Sequence, residues 1–304
     1  MIFSEMVGAM ITAELGFRAD GNPNLYERFP EEYGCMSSPF SFYSGKNKLY
    51  GEVISYGEKP PKAIVVFFHG LGGGRTSYTQ EMCAIAKAGY LVYCFDATGS
   101  MTSEGETVGN LSQVLLDQKH FFEFLDKENT SLPRFACGHS WGGYAALCSL
   151  QPEYHIAKVC SIAGFVSSNE MIYHAAPIAK KVGWLLKRYQ KRHFGKYGNL
   201  DSRDLIKNSD AKVLYIQGDR DEMVPLSVGY EALFPFRGDK VQLMLVKDRG
   251  HQPYWSIASQ KYYESLKEKK FLGIHRDINY VINDDLLNQD DPVVIKRIID
   301  FFDN

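Results

Sequence analysis

The stretch "GHSWGG", residues 138–143, follows the apolar run Arg134-Phe135-Ala136-Cys137 and precedes the helix-like Tyr144-Ala145-Ala146-Leu147. A serine therefore stands between glycines where a strand-like run gives way to a helix-like one. Gly138 and Gly142 lie two residues before and two after Ser140. Lacking side chains, they permit a turn too sharp for other residues and leave the hydroxyl exposed. An ordinary tight turn could use the same residues, so the pentapeptide alone decides little. Its setting decides more.

On both sides, apolar runs alternate with amphipathic ones. Ala63 to Phe68 is continuously apolar, as a parallel strand buried on both faces should be. Ser77 to Gly89 reads as a helix, Leu91 to Phe95 as a second buried strand and Leu111 to Lys127 as an amphipathic helix. Pro133 to Gly138 is the third strand and leads into the helix from Ser140. Ala157 to Ala163, Lys212 to Gln217 and Val241 to Val246 follow as the fourth, fifth and sixth. Upstream, "FSFYSGKNKLYGEVISY", Phe40 to Tyr56, reads as an antiparallel hairpin around a Ser-Gly-Lys-Asn turn. The alternation predicts an α/β fold, a mostly parallel twisted sheet with helices on both faces.

This gives an unassigned N-terminal extension, residues 1–39, and a domain from 40 to 304. Between Phe165 and Asp210 no strand signal occurs, over more chain than one crossover helix requires. The segment from about 165 to 210 is therefore expected to be an inserted helical cap. A weaker insertion runs from Trp255 to about Asp290, before a closing helix from Val293 to Phe302.

Composition narrows the function. The 304 residues are 45% hydrophobic with a formal net charge of −2, which suits a soluble globular protein and gives no basic excess for nucleic acid. No apolar run reaches the ~18 residues that span a bilayer. The N-terminus has no Lys or Arg before Arg18 and carries Glu5 and Glu14, unlike a secretory signal, so a cytoplasmic location is expected. The six cysteines include no CxxC pair, and are expected to be buried reduced thiols rather than disulfides or zinc ligands.

In an open parallel sheet, ligands bind at the carboxyl ends of the strands, and Ser140 falls at such an end. A serine hydroxyl is a poor nucleophile unless a base takes its proton, and that base needs an orienting acid. Of the eight histidines, His251 follows the last strand in "LMLVKDRGHQ", where a short loop brings it to the same edge. His69 ends the first buried strand, and His139 is taken to point away from the serine. His120, His155, His174, His193 and His275 are expected on the surface or in packing roles. The acid should end the intervening strand. "VLYIQGDRDEMVP" offers Asp219 and Asp221, and Asp221, further into the loop, is preferred. "HGLGGG", residues 69–74, supplies a glycine-rich loop in which the Leu71 N–H, with the Trp141 N–H, is expected to cradle an oxyanion. Neither G-x-G-x-x-G nor a Walker lysine fits that loop, so phosphate binding is not expected. Leu71, Trp141, Met223 and Trp184 are candidate pocket residues.

Over about residues 40–303 these pieces resemble an α/β-hydrolase of the serine aminopeptidase (S33) and monoglyceride-lipase-like branch. The matching residues are His69-Gly70, Asp96-Ala97-Thr98-Gly99 through Ser103 and Gly105, the Ser140 elbow, Gly218 to Pro225, and Gly250-His251. The chain order Ser140, Asp221, His251 is that of α/β-hydrolases, and the resemblance implies eight strands. One loop departs from the family: where it often reads D-x-R-G-x-G-x-S, Thr98 and Met101 replace the arginine and the middle glycine.

The leading expectation is a serine hydrolase that cleaves a small-molecule carboxylic ester through an acyl-enzyme, without metal or organic cofactor. Amide or peptide hydrolysis, or acyl transfer, would use the same apparatus, and a non-enzymatic binding protein is the third reading. From Met171 to Leu200 the cap contains no acid but carries Lys180, Lys181, Lys187, Arg188, Lys191, Arg192 and Lys196. A solvated helix face, with Trp184, Leu185, Leu186 and Tyr189 turned down over the site, is the favoured reading. A positive field selecting anionic substrates or an anionic membrane surface is the sharper one.

Overall fold

The computed structural model describes residue 5 and residues 17–21, 27–128, 130–268 and 282–304. His275 and the middle of the second insertion lie outside the described residues, as does most of the N-terminal extension.

Eight strands form one sheet: β1 (Met36–Ser44), β2 (Asn47–Ser55), β3 (Ile64–Phe68), β4 (Leu91–Phe95), β5 (Arg134–His139), β6 (Ile156–Ile162), β7 (Lys212–Gly218) and β8 (Val241–Val246). Their spatial order is β1-β2-β4-β3-β5-β6-β7-β8. β1 and β2 pair antiparallel, as do β2 and β4, and every other pairing is parallel. The hairpin plus six parallel strands are thus as the apolar runs predict. β1 begins at Met36 rather than Phe40; its first residues, Ser37, Ser38 and Pro39, lie on an edge strand where Pro is tolerated and burial is partial.

Strand alternation divides the core. Ile64, Val66 and Phe68 of β3 pack on one face with Phe121 and Phe122 of α2 (Gln113–Leu125) and Tyr144 and Leu147 of α3 (Trp141–Cys148). Val65 and Phe67 pack on the other with Met82 and Ile85 of α1 (Thr79–Lys87) and Ile298 and Phe302 of α10 (Pro292–Asp303). A strand apolar at every position is the one residue pattern that serves both faces, which is why these runs are readable.

Between β6 and β7 the chain forms α4 (Ser168–Ala175), α5 (Ile178–Lys181), α6 (Gly183–Phe194) and α7 (Ser202–Asn208). After β8 come α8 (Ile257–Glu268) and α9 (Asp284–Leu287), then α10. The bases of this second insertion meet in a bridge between Trp255 and Asp290. All six cysteines are buried free thiols. No helix among the described residues is long and apolar enough to cross a membrane.

Residues 17–21 are tied to the loop after β4. Ala19 bridges Ser100, and Arg18 donates to the carbonyls of Gly105 (2.7 Å), Ser103 (2.9 Å) and Met101. The loop that lacks the family's arginine therefore receives a guanidinium from the N-terminal segment.

Candidate active site

Ser140 links β5 to α3 with φ +58° and ψ −117°, a conformation that costs a residue with a side chain about 1–3 kcal/mol. Its N–H is held by the Ile162 carbonyl at 2.8 Å, and its own carbonyl accepts from Tyr144 N–H at 3.0 Å. The glycines are there because backbones crowd. A Cβ on Gly142 would lie 1.9 Å from the Phe68 oxygen, and one on Gly138 would lie 2.3 Å from the Gly142 oxygen.

Asp221 and His251 come together from two different loops. His251 Nδ1 lies 3.0 Å from both carboxylate oxygens of Asp221. Asp221 Oδ1 also accepts from the N–H groups of Met223 (2.9 Å) and Val224 (3.0 Å), and Oδ2 accepts from Gln217 Nε2 at 3.1 Å. Burial alone would push this carboxyl up; His251, the Val224 N–H and the Gln217 amide outweigh it and hold the carboxyl below its ordinary value. Asp219 instead accepts from the Arg249 N–H at 3.3 Å, as a turn-shaping residue would. With a carboxylate facing Nδ1, that nitrogen carries the proton and Nε2 is left to act as base.

Three histidines take distinct parts. His69 Nε2 accepts from Ala97 N–H at 2.9 Å and Nδ1 donates to the Gly70 carbonyl at 2.8 Å, which pins the glycine-rich loop. His139 does not simply point away. Its Nε2 donates to the His251 carbonyl at 2.8 Å, its Nδ1 accepts from the Tyr78 hydroxyl at 2.8 Å, and that hydroxyl accepts from Gly70 N–H at 3.1 Å. Its ring lies 4.7 Å from the His251 ring. Burial, then the nearby His251 charge, pushes His139 down to about 3, so it is neutral. One chain of hydrogen bonds thus joins the glycine-rich loop, the elbow and the His251 loop. Sequence reasoning missed it, and missed Gln217. The available signal was a buried polar residue at the carboxyl end of each of two strands, His139 after Phe135-Ala136-Cys137-Gly138 and Gln217 after Val213 to Ile216.

Ser140, His251, Leu71 and Trp141 line one cavity of about 1210 Å³, with the Asp221 neighbours Glu222, Met223 and Val224. Trp141 is fully buried, its indole N–H on the Leu111 carbonyl at 2.7 Å. The segment between β6 and β7 contributes Met171, Ile172, Ala175, Ala176, Ala179, Lys181 and Val182 to the same cavity, and α8 contributes Gln260, Tyr263 and Glu264. Gly250 N–H donates to Gln260 Oε1 at 3.3 Å, and Arg249, nearly buried, holds the Trp255 carbonyl and Asp291, each at 2.8 Å. The second insertion is therefore fastened to the His251 loop. Trp184 is a correction: 68% exposed, it faces solvent and lies outside the cavity lining, while Leu185 and Leu186 are buried. Helical spacing groups this tryptophan with Lys187 and Arg188, a pattern that the apolar run Trp184-Leu185-Leu186 obscures.

A sheet of this order, an elbow after β5 and loops converging at its carboxyl edge define an α/β-hydrolase fold. The family described as "Serine aminopeptidase, S33" matches residues 59–233, more than half of the chain, and the chain belongs to that family. The matched region holds Ser140 and Asp221 and ends before His251. Human monoglyceride lipase is 30% identical over 112 residues, which span 36% of this chain and 37% of that protein. Among solved structures, an esterase of Pyrococcus furiosus is similar with TM-score 0.59 and 17% identity, over 84% of this chain and 96% of that one. Acetyl xylan esterase 1 of Thermoanaerobacterium gives TM-score 0.56 and 17% identity, over 88% and 92%. The acylaminoacyl peptidase of Pyrococcus horikoshii gives TM-score 0.56 and 21% identity, over 78% and 41%. At these identities the likeness is one of fold.

Proposed function

We propose that this protein is a serine hydrolase that cleaves a small-molecule carboxylic ester through Ser140, His251 and Asp221. The observation that carries the reading is the Asp221–His251 pair, 3.0 Å apart, whose His251 lines the same cavity as the strained Ser140. Ser140 Oγ attacks the ester carbonyl as His251 Nε2 takes its proton, and Asp221 stabilises the imidazolium through Nδ1–H. The Leu71 and Trp141 N–H groups receive the oxyanion, each worth roughly 3 kcal/mol in the transition state. His251 returns the proton to the leaving alcohol, and water, activated by the same histidine, releases the acid. No step needs a metal or cofactor. The helices between 165 and 210 act as a cap over the cavity, and the six buried thiols fit a cytoplasmic setting.

The family name raises a peptidase reading, whereas the monoglyceride lipase match favours esters. A panel of p-nitrophenyl esters from acetate to long-chain, run beside aminoacyl anilides, separates the two. Covalent labelling by a fluorophosphonate tests the apparatus itself. Wild type should be labelled and Ser140→Ala should not, with ester turnover lost and the fold retained. A variant keeping a tenth of wild-type turnover would remove Ser140 from the role.

A further inference from the structure

We propose that the outer face of α6 docks this protein on an anionic lipid surface. Leu185, Leu186 and Gln190 are the buried face of this helix. Trp184, Lys187, Arg188 and Lys191, spaced i, i+3, i+4 and i+7, form one exposed stripe on the other. Lys180 and Lys181, at the end of α5 just before this helix, are exposed too.

The segment's other cations are already used. Arg192 lies 3.1 Å from Glu5, and Lys196 is paired with Glu153. The cations of the stripe have no ion-pair partner among the described residues, and no acid occurs between Met171 and Leu200 to supply one locally. What faces solvent is thus a row of free positive charge headed by an indole that is 68% exposed. Charge alone would suit any polyanion. The tryptophan favours a headgroup layer, where its apolar body and polar N–H are both accommodated. The position of the stripe favours it too. Exposed Lys181, three residues before Trp184, lies at the cavity rim, and Ala179 and Val182 beside it line the cavity. A surface with anionic headgroups outside and apolar chains beneath matches that sequence of charge, then rim, then apolar wall. The proposal concerns binding and stands whether or not Ser140 is the nucleophile.

The test is sedimentation with vesicles of phosphatidylcholine alone or with about one third phosphatidylglycerol. Wild type should bind the anionic vesicles only, and release at about 0.5 M salt, where screening is within a few ångströms. The triple variant K187Q/R188Q/K191Q should lose about a hundredfold in partitioning, at roughly fivefold per charge. Trp184→Ala should weaken binding with the salt dependence intact. None of these residues lines the cavity, so turnover of a water-soluble p-nitrophenyl ester should be unchanged and reports that the variants are folded. Equal binding to neutral vesicles, or anionic binding untouched by the triple variant, would overturn the proposal. So would capture by heparin without vesicle binding, which would assign the stripe to a soluble polyanion.

Discussion

The carboxyl edge of the sheet and the helices above it are built to different standards. At the edge, Asp221 receives the amide of β7's Gln217, two N–H groups of its own loop and the ring of His251. Above it, Gln190 is fully buried in α6, yet neither of its amide atoms has a partner among the described residues, and Asn169 Oδ1 in α4 is likewise unpaired. Each such buried atom costs about 1–3 kcal/mol. The edge is over-determined and the roof is not. Chemistry that needs sub-ångström placement belongs in the first region, and variation in what enters the cavity is tolerated in the second.

The largest effect should come from breaking the edge at the acid. Asp221→Asn keeps the shape but presents an amide to His251 Nδ1, favouring the wrong tautomer, and turnover should fall by about 10⁴. Asp219→Asn, which touches only the Arg249 N–H, should change turnover by no more than a few-fold. Steady-state kinetics on one ester decide between them. The reverse ranking would move the acid to Asp219 and remove the reason for calling the edge over-determined.

A smaller effect is expected at His139, which acts through other residues. His139→Phe keeps an aromatic ring against His251 and Tyr254 but removes the donor to the His251 carbonyl and the acceptor for Tyr78. Losing these two buried bonds, at about 1 kcal/mol each, should lower kcat about 10- to 100-fold with KM little changed. Tyr78→Phe cuts the chain at its other joint and should weaken kcat less. A His139→Phe enzyme that is less stable but turns over at the wild-type rate would make the residue a packing element only.

The same contrast explains what the sequence reveals. Leu91–Phe95 coincides with its apolar run residue for residue, because burial constrains nearly every position of a central strand. Ser140 is readable because backbone crowding admits only glycine at 138 and 142. His139, Gln217 and Arg18 are not readable that way. His139 and Arg18 meet partners more than 60 positions away, and Gln217 meets Asp221 and Val224 through the shape of its own loop, so no local pattern records these contacts. Trp184 fails for another reason: it adjoins Leu185 and Leu186 in an apolar run, whereas helical spacing groups it with Lys187, Arg188 and Lys191 on the exposed face.

The smallest effect should appear at the base of the second insertion, where stability rather than turnover responds. Asp290 bridges Trp255, and its Oδ1 is buried without a partner among the described residues. Burial, and then Asp291, push its carboxyl up to about 7 against the opposing Gln80 hydrogen bond. Glu81, also buried, is raised well above its usual range by burial and by Asp290. A carboxyl whose folded pKa exceeds its unfolded value of 3.8 favours the fold fully at pH below that value and loses the contribution as pH rises through about 7. Asp290→Asn carries no charge at any of these pH values, so its stability relative to wild type should grow on going from about pH 5 to pH 8, by roughly 2–3 kcal/mol or several degrees in Tm. Turnover at neutral pH should stay within about threefold, since the residue lines no part of the cavity. Thermal melts of both proteins at the two pH values provide the check. Parallel pH dependences would mean that Asp290 stays ionised in the fold, with water reaching its buried oxygen.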